Sequence, residues 1–158
     1  MKRGLMAGMT CTLLLSLLGC SGNEISQGLS KSGGYDSDEA IKRGDVVYTA
    51  FGSYNLKTFE QFLSNVSSKK EDKIRITSYT HEGDPIFQDL QFDGSEIHYS
   101  YDNSYDQNGV PEQVENSCKE VRVEEIDKER VTFFISNCQD GEEYSLIDLH
   151  KGQVAYES

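Results

Sequence analysis

KIRITSYTHEGDPIFQDLQF, residues 73–92, predicts a β-hairpin whose two strands are joined by a short turn. Apolar and polar side chains alternate on both sides of that turn, which is typical of strands that bury one face. The buried face must hold four aliphatic side chains: Ile74, Ile76, Ile86 and Leu90. They share one face only if Ile76 lies opposite Gln88. The same register places Thr80 opposite Asp84.

The turn itself then consists of His81, Glu82 and Gly83, with the glycine at the position that requires a positive φ angle. His81, Glu82 and Asp84 are also residue types that bind metals or transfer protons. A zinc site of the HExxH type needs a helix, however, and the Gly-Asp-Pro that follows Glu82 breaks one. In a solvated loop these carboxyl groups would be poor general acids. We therefore interpret His81, Glu82 and Asp84 as a turn that faces a partner, and an envelope hydrolase is the least favoured alternative.

The N-terminal region has the layout of a bacterial secretory signal. Lys2 and Arg3 precede an uncharged, leucine-rich run over residues 4–18, which is too short to span a membrane. This run leads into Leu17-Leu-Gly-Cys20, which resembles the lipobox at which a signal peptidase cuts before a lipidated cysteine. We therefore expect a lipoprotein signal peptide at residues 1–19 and acyl chains such as palmitate on Cys20. These chains would anchor the protein in the lipid bilayer, on the extracytoplasmic face of the cell membrane.

The rest of the chain divides into a tether and a domain. Residues 20–35 are rich in serine and glycine, and they predict a flexible tether that spans on the order of 20 Å. Residues 36–158 are long enough for a single domain with one core. The formal net charge is −12 at pH 7. Removal of the signal peptide makes the net charge more negative, because the charged residues in it, Lys2 and Arg3, are both basic. So acidic a domain would be repelled by nucleic acid, and we exclude nucleic acid as a partner.

The pattern of helices and strands predicts an α+β fold. Asp36 can cap, and Gly44 can end, a short N-terminal helix over Ser37–Arg43. Residues 45–51 then predict a strand, and Asn55 is placed to cap one main α-helix. The apolar side chains of that helix recur at helical spacing on one face: Leu56, Phe59, Phe62, Leu63 and Val66.

After residue 72 the apolar period changes to two, which predicts a mostly antiparallel β meander packed against the main helix. Asp93-Gly94 is a strong signal for a two-residue hairpin turn. A hairpin closed by that turn pairs Asp89 with His98 on its polar face. The connection over residues 103–117 is long and polar, and it predicts a mobile loop.

Two cysteines remain after Cys11 leaves with the signal peptide and Cys20 is lipidated. A hairpin turn centred on Lys128 places Cys118 directly opposite Cys138 on antiparallel strands, within reach of a disulfide. An extracytoplasmic compartment favours that bond. The bond would close a loop of about 20 residues and stabilise the fold by around 3 kcal/mol.

The polar loop carries a weak signal for a cation site. Oxygen-bearing side chains alternate along it as in an EF-hand: Asp102, Ser104, Asp106 and Asn108. Gln107 and Gln113 stand where an EF-hand loop requires glycine and glutamate. We therefore predict no metal and no cofactor, and we keep a small cation- or ligand-binding lipoprotein as the alternative function. Tyr105 could line a ligand groove, whereas Tyr99 and Tyr101 are expected in the core.

These stretches together resemble a family of small lipoproteins of unknown function from Gram-positive bacilli. The likeness includes Asp45-Val-Val and is most specific in the motif DKIRITSYTxEGDPIF, residues 72–87. It continues through residues 97–103 to the two cysteines, and so covers residues 38–138. The resemblance implies a lipoprotein and a shared fold. It supplies no activity and no catalytic residue.

The sequence as a whole therefore predicts a membrane-anchored, extracytoplasmic module that binds an envelope protein or a small ligand. We expect a monomer. We do not expect an enzyme, because no motif of nucleophilic catalysis is found in the sequence.

Overall fold

The computed structural model describes residues 34–153. The predicted signal peptide, Cys20 and most of the predicted tether lie outside the described residues. Two helices and nine strands follow one another along the described chain: α1 (Ser37–Arg43), β1 (Val46–Thr49), β2 (Gly52–Tyr54), α2 (Leu56–Ser67), β3 (Asp72–Tyr79), β4 (Pro85–Phe92), β5 (Ile97–Asp102), β6 (Gln113–Cys118), β7 (Glu120–Glu125), β8 (Arg130–Ser136) and β9 (Tyr144–His150).

The strands form two sheets. Six strands pair in the order β2-β1-β3-β4-β5-β6, and three pair in the order β7-β8-β9. All neighbours are antiparallel except β1 and β3, which run parallel and are connected through α2. The fold is thus a mixed α/β arrangement, made mostly of strands and rich in antiparallel pairs. The predicted single meander needs two corrections, because the strands divide between two sheets and one pair is parallel.

Helix α1 has the predicted bounds and the predicted caps. The carboxylate of Asp36 accepts a hydrogen bond of 2.9 Å from the backbone N–H of Glu39. Gly44 follows the helix in the left-handed conformation, with a φ angle of 92°. A residue with a side chain would be strained there, and this explains why glycine ends the helix.

Helix α2 lies where the apolar spacing predicts it, but Asn55 does not cap it as expected. Asn55 itself is in the left-handed conformation, and its side chain makes no capping hydrogen bond to α2. Its Nδ2 atom donates instead to the carbonyl oxygens of Ile41 and Asp45, at 3.0 and 2.8 Å. Asn55 therefore fastens the start of α2 to the connection between α1 and β1.

The hairpin of β3 and β4 has the predicted register. Ile76 pairs with Gln88, and the N–H of Thr80 donates to the carbonyl oxygen of Asp84 at 2.9 Å. Gly83 has a φ angle of 90°, as the three-residue turn requires. The isoleucines decide this register, because a slip of one residue would move all of them to the opposite face.

The register between β4 and β5 differs from the prediction by two residues. Asp89 pairs with Ser100, and the predicted pair of Asp89 with His98 is therefore wrong. The turn has four residues instead of two and is centred between Gly94 and Ser95, because the carboxylate of Asp93 accepts hydrogen bonds from the two backbone amides that follow Gly94. Every side chain keeps its predicted face, since a shift of two residues preserves the alternation.

A strand lies where a mobile loop was predicted. β6 pairs with β5 along its whole length, and only residues 103–112 remain as a connection. β6 forms one edge of the six-stranded sheet and β2, which was not predicted either, forms the other. Edge strands leave one row of backbone groups unpaired and are commonly short or rich in polar side chains, so a search for apolar alternation overlooks them.

The disulfide joins the two sheets. Glu120 pairs with Ser136, which confirms the predicted hairpin centred on Lys128. Cys118 and Cys138 are bonded, with 3.9 Å between their Cα atoms. Because Cys118 ends β6 and Cys138 follows β8, the bond holds the six-stranded sheet against the three-stranded one.

One hydrophobic core is shared by both sheets and α2. The buried ring of Phe59 on α2 meets the buried ring of Phe133 on β8 edge-on, with 5.0 Å between the ring centres. Gln88 links the sheets within this core, since its Nε2 atom donates to the carbonyl oxygen of Leu146 and its Oε1 atom accepts from the Tyr99 hydroxyl, both at 3.0 Å. Tyr99 is buried, as predicted.

Candidate functional site

Three connections lie together at one end of the six-stranded sheet, which we call the loop end. They join β1 to β2 (residues 50–51), β3 to β4 (residues 80–84) and β5 to β6 (residues 103–112). They meet at one end because β1, β3 and β5 run in the same direction in the sheet. The predicted partner-facing turn and the predicted cation loop are therefore neighbours.

A cleft of about 430 Å³ opens beside the β3–β4 turn. It is lined by residues from three separate segments, and we call it the turn cleft: Gly34, Tyr35, Asp36, Glu82, Gly83, Asp84, Gln107 and Asn108. Among the described residues, the lining contains three acidic residues and no lysine or arginine. Gly34, the first described residue, is part of this lining.

Asp84 is the buried centre of the turn cleft, with 5% of its surface exposed. The hairpin holds its backbone, since its N–H donates to the Thr80 hydroxyl at 3.1 Å. Its carboxylate accepts two hydrogen bonds from Gln107, one from the backbone N–H at 3.1 Å and one from the side-chain amide at 3.2 Å. Asp84 therefore clamps the loop of residues 103–112 to the turn, which satisfies a carboxylate that would otherwise be buried without a partner.

His81 and Glu82 form the exposed crest of the turn. Within the described residues, neither side chain makes a hydrogen bond or an ion pair with any other group. His81 does not line the turn cleft, whereas Glu82 and Asp84 do. The three predicted turn residues are thus close in space but do not form the linked base and nucleophile that hydrolysis requires.

An aromatic cluster around Arg75 lies beside the turn cleft. The guanidinium group of Arg75 donates two hydrogen bonds of 2.7 Å to the carboxylate of Asp89 and lies 4.8 Å from the centre of the Phe87 ring. Tyr35 and Tyr105 meet that ring edge-on, with 5.1 and 5.6 Å between ring centres. The cluster holds the N-terminal segment and the loop of residues 103–112 against β4.

Tyr35 also completes a buried polar group. Its hydroxyl donates to the carboxylate of Asp45, which also accepts a hydrogen bond of 2.7 Å from the Thr77 hydroxyl. Burial and the hydrogen bond to Asp45 raise the pKa of Tyr35. Burial likewise raises the pKa of Tyr79, whose hydroxyl oxygen is buried without a hydrogen-bond partner in the described part of the chain. Both phenols stay protonated at neutral pH and contribute packing and hydrogen bonds.

The side chains predicted as cation ligands largely hold the backbone of their own loop. Asp102 Oδ1 accepts a hydrogen bond of 2.8 Å from the N–H of Ser104. Asp106 Oδ1 accepts from the N–H groups of Asn108 and Gly109, at 2.9 and 2.8 Å. Among residues 34–153, no three histidine, cysteine, aspartate or glutamate side chains lie together in a group that could hold a metal ion. The loop is stabilised by turns of the Asx type.

Sequence reasoning missed three contributors to this region. The contact of Gln107 with Asp84 has no local signal, because the two residues are far apart in the chain. Tyr35 was placed at the end of the tether, yet it packs against the sheet. Arg75 could have been found, since the correctly predicted register of β3 and β4 already sets it opposite Asp89.

Comparison with known proteins assigns a family to the chain. The family model described as a domain of unknown function, DUF4362, matches residues 43–133, which is more than half of the chain. The chain belongs to this family. The matched DUF4362 segment contains α2 and the whole six-stranded sheet. It also contains Asp84 of the β3–β4 turn and Gln107 of the β5–β6 connection. It ends within β8, before Cys138.

Neither a curated protein nor a solved structure matches the chain at a significant level. Neither of the two helices in the described residues is long and apolar enough to cross a membrane.

Proposed function

We propose that this protein is a lipoprotein anchored to the extracytoplasmic face of the cell membrane, and that its domain binds a partner at the turn cleft. The lipobox-like Leu17-Leu-Gly-Cys20 and the resemblance to small lipoproteins of Gram-positive bacilli support the anchor. In this proposal the domain is a monomeric binding module and carries out no reaction.

One observation supports the binding role most strongly. The turn cleft is an open volume beside the crest of His81 and Glu82, whose side chains bond to no other group in the part of the chain that the structure describes, and it is lined by Gly34, the first described residue. A tether over residues 20–33 would span on the order of 20 Å. Anchoring at Cys20 would therefore keep the turn cleft close to the membrane surface, where an envelope partner is within reach.

The chemistry of the lining favours a partner with positive charge. Asp36 and Glu82 are exposed at the rim, and Asp84 lies buried behind them. No basic side chain from residues 34–153 lines the cleft, and the whole chain carries a formal charge of −12. A lysine or arginine side chain of a partner would be attracted and could form charge-assisted hydrogen bonds at the rim. Nucleic acid would be repelled.

The anchor is tested by substitution of each N-terminal cysteine. Cys20→Ala should abolish labelling by a palmitate analogue in cells and should release the protein from the membrane fraction. Cys11→Ala is the matched control, because this residue lies within the predicted signal peptide, and it should leave labelling unchanged. If the Cys20→Ala protein remains labelled to the same extent, the lipoprotein assignment fails.

The binding site is tested by photo-crosslinking in intact cells. A photoreactive amino acid at His81 should capture a partner, whereas the same amino acid at the exposed Lys128, in the turn of the three-stranded sheet, should not. Glu82→Lys should reduce capture from His81 strongly, since it reverses the charge at the rim, and Glu82→Gln should reduce it less. Equal capture from both positions, or capture that Glu82→Lys leaves intact, would refute the turn cleft as the binding site.

A further inference from the structure

The two most exposed large apolar side chains in the described part of the chain both lie at the loop end. Phe51, in the β1–β2 turn, is 96% exposed, and Val110, in the β5–β6 connection, is 85% exposed. A single exposed apolar residue is common on protein surfaces, whereas several at one end of a domain can form a contact surface.

Phe51 stands at the tip of a short, hydrogen-bonded hairpin. Tyr48 pairs with Ser53 across β1 and β2, and the Thr49 hydroxyl both donates to the carbonyl oxygen of Gly52 and accepts from the N–H of Phe51. These bonds fix the backbone that presents the ring. Phe51 is therefore held out from the sheet instead of folding back onto the core.

The residues that flank Phe51 in the chain carry no charge. Residues 46–54, VVYTAFGSY, contain no acidic or basic side chain, although the whole chain has 27 acidic and 15 basic residues. Tyr48 and Tyr54 flank the tip and are 38% and 43% exposed. A phenylalanine tip with tyrosines behind it has the amphipathic character of side chains that sit at the boundary between lipid and water.

We propose that the loop end docks on the phospholipid bilayer, with Phe51 inserted among the acyl chains and Val110 as a second apolar contact. This inference rests on the proposed lipid anchor. Gly34, the first of the described residues, lines the turn cleft at this same end of the sheet. Three strand spacings, roughly 14 Å, separate β1 from β5, so the two contacts lie far enough apart to fix the orientation of the domain.

Insertion of one phenylalanine ring should shift the ratio of docked to undocked domain roughly 10- to 100-fold in favour of docking. This gain is sufficient because the acyl anchor already holds the domain near the lipid. The charge of −12 acts in the opposite direction on anionic bilayers, so docking should be strongest on phosphatidylcholine and weaker as phosphatidylglycerol is added.

The test uses the absence of tryptophan from the chain. Three variants, Phe51→Trp, Val110→Trp and Ile126→Trp, each introduce a single tryptophan at an exposed position. Ile126 is the control, because it lies in the turn between β7 and β8 of the other sheet and is 48% exposed. The full acylated protein is reconstituted in phosphatidylcholine vesicles that contain brominated lipid, and quenching of tryptophan fluorescence is measured.

Docking predicts quenching and a blue shift for tryptophan at positions 51 and 110, and neither effect at position 126. Adding Phe51→Ser to the Val110→Trp protein should remove most of the quenching at position 110. The proposal is overturned by an unquenched tryptophan at position 51, by equal quenching at all three positions, or by shielding of position 51 that requires another envelope protein instead of lipid. The mass of the N-terminal peptide reports acylation separately, so a missing anchor is distinguished from a failure to dock.

Discussion

Removal of the Cys118–Cys138 bond should destabilise the domain more than a surface change would. The bond encloses a loop with a sequence separation of 20 residues. That loop contains β7 and β8, and the bond adds a second covalent link, besides the backbone at Lys119, between the two sheets that share the core. Without it, the unfolded chain gains conformations while the strand pairing of the folded state is unchanged.

The expected loss follows from the entropy of loop closure. For a loop of this length the chain-entropy relation gives about 3 kcal/mol at 25 °C. A small domain loses about 1–3 kcal/mol of stability per molar urea, so the unfolding midpoint should fall by roughly 1–3 M. The thermal midpoint should fall on the order of 10 °C.

The assay compares three forms of the protein by urea unfolding, followed by circular dichroism. These forms are the oxidised protein, the same protein with the bond reduced, and the Cys118→Ala, Cys138→Ala double variant. The reduced protein keeps both buried side chains, so its loss reports the cross-link alone, and any further loss in the double variant reports packing. A loss below about 1 kcal/mol on reduction would refute the entropic reasoning.

Three further predictions concern single side chains. Phe59→Ala removes a fully buried ring and should cost about 3–5 kcal/mol in urea unfolding, whereas Phe51→Ala, at a 96% exposed position, should cost almost nothing. Asp84→Ala releases the clamp on Gln107, so hydrogen exchange at the Gln107 amide should accelerate while the global stability falls by about 1–3 kcal/mol. Backbone N–H groups hold the pKa of Asp93 below its usual range, so this carboxylate stabilises the fold above about pH 4 and loses that effect as the pH falls. The difference in thermal midpoint between Asp93→Ala and the unaltered protein should therefore be present at pH 7 and shrink towards pH 2.

The sequence predicted those registers that the hydrophobic pattern and the turn decide together. Between β3 and β4, the isoleucines define one face and Gly83 defines the turn, and both agree on a single pairing. Between β4 and β5, the pattern alone could not separate two registers that differ by two residues, since both bury the same side chains. The Asp93 carboxylate favours the observed register, because it accepts hydrogen bonds from the backbone of Ser95 and Glu96 and so stabilises a four-residue turn.

The features that sequence reasoning missed depend on contacts between distant segments. β6 has little apolar alternation and exists because β5 offers it a free edge. The parallel pair of β1 with β3 requires α2 to cross over the sheet, and an alternating pattern does not reveal strand direction. In the candidate site, the crest of the turn was predicted, but the clamp of Asp84 by Gln107 joins residues separated by 23 positions, and no local motif marks it.

The turn of residues 81–83 and its flanks can now be divided into structural and free positions. Gly83 supplies a conformation that other residues rarely adopt, Asp84 holds the neighbouring loop, and Pro85 is fully buried where β4 begins. The side chains of His81 and Glu82 make no such structural contact within the described residues, although they lie at the centre of the loop end.

If Phe51 and Val110 hold the loop end against the bilayer, the side chains of His81 and Glu82 lie close to the lipid surface. A freely diffusing ligand would then reach the turn cleft less easily than the external segment of a membrane protein. The partner captured from His81 should therefore be found in the membrane fraction, and its contacting segment should carry lysine or arginine.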